Sequence, residues 1–279
     1  MDLLQSVLMG IVQGLSEFLP ISSSGHLVFT SNFYKIFNEI DVVQHSNQEI
    51  FLDIMLHLGT LVAVLIFYRR EILEIIKALY IGIKLKDYSS RNFKLGIYII
   101  LGTIITVLIA YPLDGIAASL VFKPELVGIL LIITGLILLI SERFSQKVQE
   151  KQKLTLKKSI LIAIAQGLAA LPGFSRSGLT ISAGLFAGMD RKEAANYSFL
   201  LSIPIILGAS MFYPLITLDI KEVISYNWLS IIVGTFVSGC VGYLCIKYFI
   251  KFVGKFSLAF FGYYCLIVGI LTAIFFTIV

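Results

Sequence analysis

Long apolar runs occupy about 50–68, 95–111, 126–140, 197–216, 228–246 and 256–279. Each approaches the ~20 residues a helix needs to cross a bilayer, the 126–140 run only if flanking residues join it. Six transmembrane helices are therefore expected. Two further apolar stretches, about 2–34 and 159–189, are interrupted by Pro, Gly and Ser. In the second, each arm beside Pro172-Gly173-Phe174-Ser175-Arg176-Ser177-Gly178 is about a dozen residues, too short to span at 1.5 Å per residue. A re-entrant helical hairpin fits better than two full helices. The arm 2–19 of the first stretch is long enough to span, and the extreme N-terminus has no Lys or Arg to locate it.

The two broken stretches echo each other. A shift of 153 residues places Ile11, Gln13, Gly14, Leu15, Ser22, Ser24 and Gly25 on Ile164, Gln166, Gly167, Leu168, Ser175, Ser177 and Gly178 without a gap. Polar, helix-breaking residues at membrane depth are costly unless they line a cavity. Two broken segments from a duplicated ancestor, facing one site, satisfy that condition better than a chance likeness of two turns.

Composition and charge fix the class and the orientation. The chain has 279 residues, of which 58% are hydrophobic and 14% charged, and its mean hydropathy is +0.93. That charge is well below a soluble domain's quarter, so an integral membrane protein is expected. No basic n-region opens the sequence, so no cleaved signal peptide is expected. The net charge of +5 does not point to nucleic acid, because its distribution between loops carries the meaning. With both hairpins entering and leaving on one side, segments 69–94, 143–158, 191–192 and 247–255 hold eighteen of the 22 basic residues. The opposite side holds Lys35, Lys123 and Lys221, and Arg176 lies inside the second hairpin. This asymmetry predicts that the basic loops are cytoplasmic.

The second hairpin then enters from the cytoplasm and the first from outside, where 35–50 carries Glu39, Asp41 and Glu49. Each half is a hairpin plus three spans, so the second half is inverted. The predicted fold is an all-α polytopic membrane protein with an inverted-topology repeat, six transmembrane helices plus two re-entrant helical hairpins. Residues 1–279 form a single membrane domain of two repeats, about 1–141 and 154–279.

Other segments carry less. Segment 69–94 has helical periodicity, and an interfacial helix against anionic headgroups and an ordinary basic loop fit it equally. Gly234, Ser238 and Gly242 make a small-xxx-small row suited to a homodimer or, preferably, an internal helix pair. Cys240, Cys245 and Cys265 have no metal-ligand spacing and read as packing residues. Asp190-Arg191-Lys192-Glu193 reads as a solvated turn before a helix.

The candidate chemistry lies at the hairpin tips. Gln13 and Glu17 are four apart and share a helix face. A Glu at membrane depth needs a metal ion, a cationic group or a catalytic proton. Ser22, Ser23, Ser24, Gly25 and His26 form the first tip, after Pro20. Their hydroxyls suit an N-cap, exposed N–H groups there bind anions, and a hydroxyl beside an imidazole offers a nucleophile and a base or acid. In the second tip, Arg176 is flanked by Ser175, Ser177 and Thr180 at the start of a half-helix, a phosphate cradle. The plain structural alternative is an Arg176–Glu17 salt bridge across the tips, which is still compatible with function because such a pair could hold the empty site. His57 and Asp53, four apart near the outer boundary, fit a place beside the first tip or a plain interfacial pair equally. His45 is assigned no role.

These tips, Gln13-Gly14-Leu15-Ser16-Glu17-Phe18-Leu19-Pro20-Ile21-Ser22-Ser23-Ser24-Gly25-His26 and Pro172-Gly173-Phe174-Ser175-Arg176-Ser177-Gly178-Leu179-Thr180, resemble the undecaprenyl-diphosphate phosphatase family linked to bacitracin resistance. The family admits Glu or Gln at the first acidic position. Gln13 here leaves Glu17 as the only carboxylate of the motif. The resemblance implies hydrolysis of a C55 polyprenyl diphosphate to its monophosphate in the bacterial plasma membrane. It further implies a site opening to the extracytoplasmic face and a divalent cation, Mg²⁺ or Ca²⁺, near Glu17 and Gln13. Ser23 would attack the terminal phosphorus, with His26 or Glu17 managing protons, while His26 as nucleophile stays open. Arg176, Ser175, Ser177 and Thr180 would hold the diphosphate.

Two other readings compete with this one. Ser23-Ser24-Gly25-His26 resembles the PSGH of membrane phosphatases related to phosphatidic acid phosphatase, but their second motif needs a His where Ser182 stands. A transporter or flippase of an anionic lipid or solute could share the architecture. It needs no nucleophile, so Ser23, His26 and Glu17 opposite Arg176 favour hydrolysis.

Overall fold

The computed structural model describes residues 2–38, 47–148, 150–217 and 220–278, and all their regular structure is helical. The first hairpin is α1 (Leu3–Ser16) and α2 (Ser23–Phe37). Asp2 caps α1 by accepting from the Gln5 amide at 2.7 Å. That bond, with a second from the Tyr34 hydroxyl, holds its carboxyl below the usual range. The α1 arm has 14 residues, about 21 Å of helix. It is therefore too short to span, contrary to the length of 2–19, because the chain leaves the helix at Glu17.

The spans follow in the expected places. They are α3 (Asn47–Phe67), the stretch Arg91–Leu120, α7 (Pro124–Lys147), α10 (Arg191–Thr217, apolar as far as Phe212), α12 (Trp228–Val253) and α13 (Ala259–Ile278). Arg91–Leu120 comprises α5 (Arg91–Ala110), a 3₁₀ turn and α6 (Asp114–Leu120). Flanking residues complete the short 126–140 run in α7. The amphipathic α4 (Arg69–Leu85) lies between the first two spans, and α11 (Ile220–Ile224) precedes α12. The second hairpin is α8 (Leu156–Leu168) and α9 (Arg176–Phe186). Glu39, Asp41 and His45 lie outside the described residues.

Helix pairing positions the tips. The first arm of each hairpin packs on a helix distant in sequence, α1 on α12 and α8 on α5. The second arms also cross over. α9 packs on α7, and α2 lays His26, Phe29 and Phe33 against Tyr264, Phe276 and Phe275 of α13. Other large contacts are α3 with α12, α7 with α13, and α10 with both α3 and α9.

Small residues permit these approaches, as packing without a hydrophobic drive requires. A Cβ on Gly10 would come within 2.5 Å of the Gly234 carbonyl oxygen, and one on Gly14 within 2.8 Å of that of Ser238. The row Gly234, Ser238, Gly242 therefore serves an internal interface. Phe18, fully buried, meets Phe199 of α10 edge-on at 5.3 Å and seats the first tip on the other half.

Arg191 is not merely part of a solvated turn. It donates through Nε (3.1 Å) and Nη2 to Glu142 of α7, which is 2% exposed and also accepts from the Leu258 amide at 3.3 Å. Asp190 behaves as expected, accepting from the Lys192 and Glu193 amides at 2.9 and 3.2 Å.

Candidate active site

Unwinding a helix frees carbonyls that must find donors when buried. Between α1 and α2 those donors come from distant elements. Cys245 Sγ donates to the Leu15 carbonyl at 3.2 Å, Ser177 Oγ to Leu19 at 2.9 Å and Cys265 Sγ to Pro20 at 3.5 Å. The two cysteines thus do more than pack. Ser22 lies at φ +70°, a left-handed conformation costing a non-glycine residue about 1 kcal/mol or more. It caps α2 by accepting from the Gly25 amide at 3.2 Å.

The second tip uses the equivalent cap. Ser175 Oγ accepts from the Gly178 amide at 3.0 Å and lies 3.2 Å from Ser177 Oγ. Thr134 of α7 braces the turn, donating to the Gly173 carbonyl at 3.3 Å and accepting from the Ser175 amide at 3.2 Å. Gly173 sits at φ +97°, where a Cβ would also come within 2.4 Å of the Val127 carbonyl oxygen. Only glycine fits this turn.

The tips meet at Glu17, which is 6% exposed. Oε2 accepts from Gln13 Nε2 at 2.9 Å and from the Ser23 hydroxyl at 2.7 Å. Oε1 accepts from Arg176 Nη2, 159 residues away in sequence. His57 Nε2 stands 3.7 Å from Oε2, its Nδ1–H donating to the Asp53 carbonyl at 2.7 Å. Desolvating a lone carboxylate is expensive, and here a guanidinium and two neutral donors offset it.

His26 faces away from Ser23. Its Nδ1–H donates to the Ser22 carbonyl at 2.8 Å, so Nε2 is the acceptor for the Tyr264 hydroxyl, also at 2.8 Å. The two rings stack at 5.7 Å with 12° between planes. A carbonyl can only accept, which fixes the tautomer of the neutral ring.

Gln13, Ser23 and Arg176 are thus brought into direct contact with Glu17, while Ser177 binds the Leu19 carbonyl of the first tip. Ser24 is half-buried in the first turn of α2. Thr180 turns from the cluster, its hydroxyl 2.6 Å from Ser198 Oγ and 2.7 Å from the Arg176 carbonyl. That contact links α9 to α10. Of the pair left open in sequence, His57 reaches Glu17 and Asp53 supplies its backbone anchor. Tyr264 had no local signal, since its partner is 238 residues distant.

Two polar atoms in the cluster, Gln13 Oε1 and Arg176 Nη1, are buried without a hydrogen-bond partner. An uncommitted acceptor beside a carboxylate suits a hard cation, and an uncommitted guanidinium nitrogen suits an anion. Among the described residues no three His, Cys, Asp or Glu side chains gather to hold a metal.

The sequence is similar to known proteins along nearly its whole length. The family model described as bacitracin resistance protein BacA matches residues 6–271. The chain is 38% identical over 283 residues to an undecaprenyl-diphosphatase of Methanobrevibacter smithii, covering 97% of this chain and 96% of that one. It is 38% identical to the undecaprenyl-diphosphatase of Halothermothrix orenii over 284 residues, covering 98% of each. That of Carboxydothermus hydrogenoformans is 39% identical over 293 residues, covering 97% and 96%. With the match running through both tips and nearly every helix between and beyond them, the chain belongs to the BacA family of bacitracin resistance proteins.

Proposed function

We infer that this chain is an undecaprenyl-diphosphate phosphatase, a multi-pass membrane hydrolase that converts the C55 polyprenyl diphosphate to its monophosphate and inorganic phosphate. Family membership and full-length relatives bearing that name support the reaction. The transport alternative is not favoured.

The observation that carries the chemistry is the Ser23 hydroxyl donating to Glu17 at 2.7 Å while Arg176 of the other tip holds the second carboxylate oxygen. Ser23 Oγ attacks the terminal phosphorus and Glu17 Oε2 takes its proton. The anhydride P–O bond breaks, and the lipid monophosphate leaves with the bonding electrons. Glu17 passes that proton to the departing monophosphate. Water then attacks the phosphorus held on Ser23, its proton passing to Glu17 and on to the Ser23 oxygen as the Ser23 O–P bond breaks and phosphate is freed. Arg176 Nη1, buried without a protein partner, is placed to bind a phosphate oxygen and stabilise charge at phosphorus. Ser175 and Ser177 shape the α9 N-terminus toward the same anion. His26 holds the strained Ser22 carbonyl and so sets the direction of Ser23. Glu17 and Gln13 Oε1 would hold a Mg²⁺ or Ca²⁺ arriving with the diphosphate, which would offset its charge.

The same proposal covers topology. The crossed pairings α1–α12 with α8–α5, and α2–α13 with α9–α7, support two inverted repeats, about 1–141 and 154–279, in one membrane domain. Both hairpins are then re-entrant, the basic loops cytoplasmic and the site open to the extracytoplasmic face. The direct test is incubation of the full chain in detergent with undecaprenyl diphosphate and Mg²⁺. One phosphate per lipid monophosphate formed is expected, and no release from well-folded protein would overturn the assignment.

A further inference from the structure

Helix α4 is one-sided twice over. Its inner face packs on α5: a Cβ on Gly96 would meet Leu79 at 2.8 Å, and one on Gly82 would meet Phe93 at 2.4 Å. Its outer face is equally apolar. Leu73, Ile76, Tyr80 and Ile83 form one stripe, each more than half exposed. Beside it Arg70, Lys77 and Lys84 recur every seven residues, about two turns, and so form a second exposed stripe. None of the three makes an ion pair among the described residues, and Lys84 Nζ lies 5.9 Å from the Tyr80 ring centroid.

The helix cannot leave the bilayer surface. Only Tyr68 separates it from the end of α3, and residues 86–90 join it to α5. A 17-residue helix with this many charges is also a poor span. An apolar stripe with an adjoining cationic stripe is the arrangement that sinks one face into acyl chains and sets the other among phosphates.

We propose that α4 is an anionic-lipid docking surface, on which Arg70, Lys77 and Lys84 bind phospholipid headgroups while Leu73, Ile76, Tyr80 and Ile83 insert beneath them. The partner is chosen by charge complementarity: a zwitterionic headgroup offers three cations no net attraction. Each basic side chain near an anionic surface contributes about a fivefold preference, on the order of a hundredfold for three.

Native mass spectrometry of the detergent-solubilised full chain with equimolar phosphatidylglycerol and phosphatidylcholine tests this. Wild type should retain phosphatidylglycerol preferentially, and Arg70→Gln/Lys77→Gln/Lys84→Gln should lose that preference. Two controls should keep it: Arg70→Lys/Lys77→Arg/Lys84→Arg, and Lys247→Gln/Lys251→Gln/Lys255→Gln, which removes equal charge from exposed positions in the last two turns of α12 and just beyond. Absence of preference in wild type, equal loss in the Lys247/Lys251/Lys255 variant, or full preference in the α4 glutamine variant would each overturn the proposal. The last would leave the stripe to a protein partner.

Discussion

The Glu17–Arg176 pair can be separated into its structural and chemical parts by a double-mutant cycle. The Arg176 side chain is 17% exposed and that of Glu17 5%, so either partner left alone is a largely buried charge. Breaking such a pair costs about 3–5 kcal/mol, and water access to the guanidinium favours the lower end. Glu17→Gln and Arg176→Gln should therefore each destabilise by about 3 kcal/mol. The double substitution leaves two neutral amides able to hydrogen-bond across the tips, so it should also cost about 3 rather than the additive ~6 kcal/mol. The coupling is about 3 kcal/mol, within the range found for contacting residues. Activity should behave differently. Each single change removes a base or a charge-stabilising donor and should lower phosphate release by about 10²–10⁴. The double variant should therefore be no less stable than either single one, yet regain no turnover. Reversible denaturant unfolding in detergent reads the first quantity and phosphate release the second. Additive destabilisation, or turnover restored in the double variant, would refute the assignment of both roles to one pair.

Three further outcomes follow from the same geometry. Gly173→Ala should destabilise by about 2–3 kcal/mol, since the left-handed backbone and the Val127 carbonyl both oppose a Cβ; an unchanged melting temperature would contradict this. Tyr264→Phe keeps the stacked ring but removes the donor to His26, so kcat should fall about tenfold with KM unchanged, whereas a rise in KM alone would place Tyr264 in substrate binding. EDTA should abolish phosphate release without altering thermal stability, with Mg²⁺ or Ca²⁺ restoring it. Full activity in EDTA would remove the cation from Glu17 and Gln13.

Most of the scaffold was legible because membrane burial forces regularity. Six apolar runs gave six long helices, and the serines after Pro20 and Pro172 marked where arms restart. The contact between the tips was also visible, since a buried Glu17 needs a partner and Arg176 is the basic residue of the opposite tip. What sequence could not supply was direction. Thr180 sits one turn past Arg176 yet points at Ser198, because packing of α9 on α10 orients that face. His26 follows Ser23 by three residues but turns toward Tyr264, and the strained Ser22 sends Ser23 to Glu17 instead. The cysteines looked like filler, since their acceptors are carbonyls freed by unwinding far away. The arm 2–19 looked long enough to span because its apolar character continues through Phe18 and Leu19, which belong to the turn.

The central claim is that one site is built from both tips. It is tested most directly by phosphate release from undecaprenyl diphosphate for wild type, Ser23→Ala and Arg176→Ala in well-folded detergent preparations. Release by wild type that both substitutions abolish is the predicted result. Turnover surviving in Ser23→Ala would move the nucleophile elsewhere, and turnover surviving in Arg176→Ala would contradict a site shared between the tips.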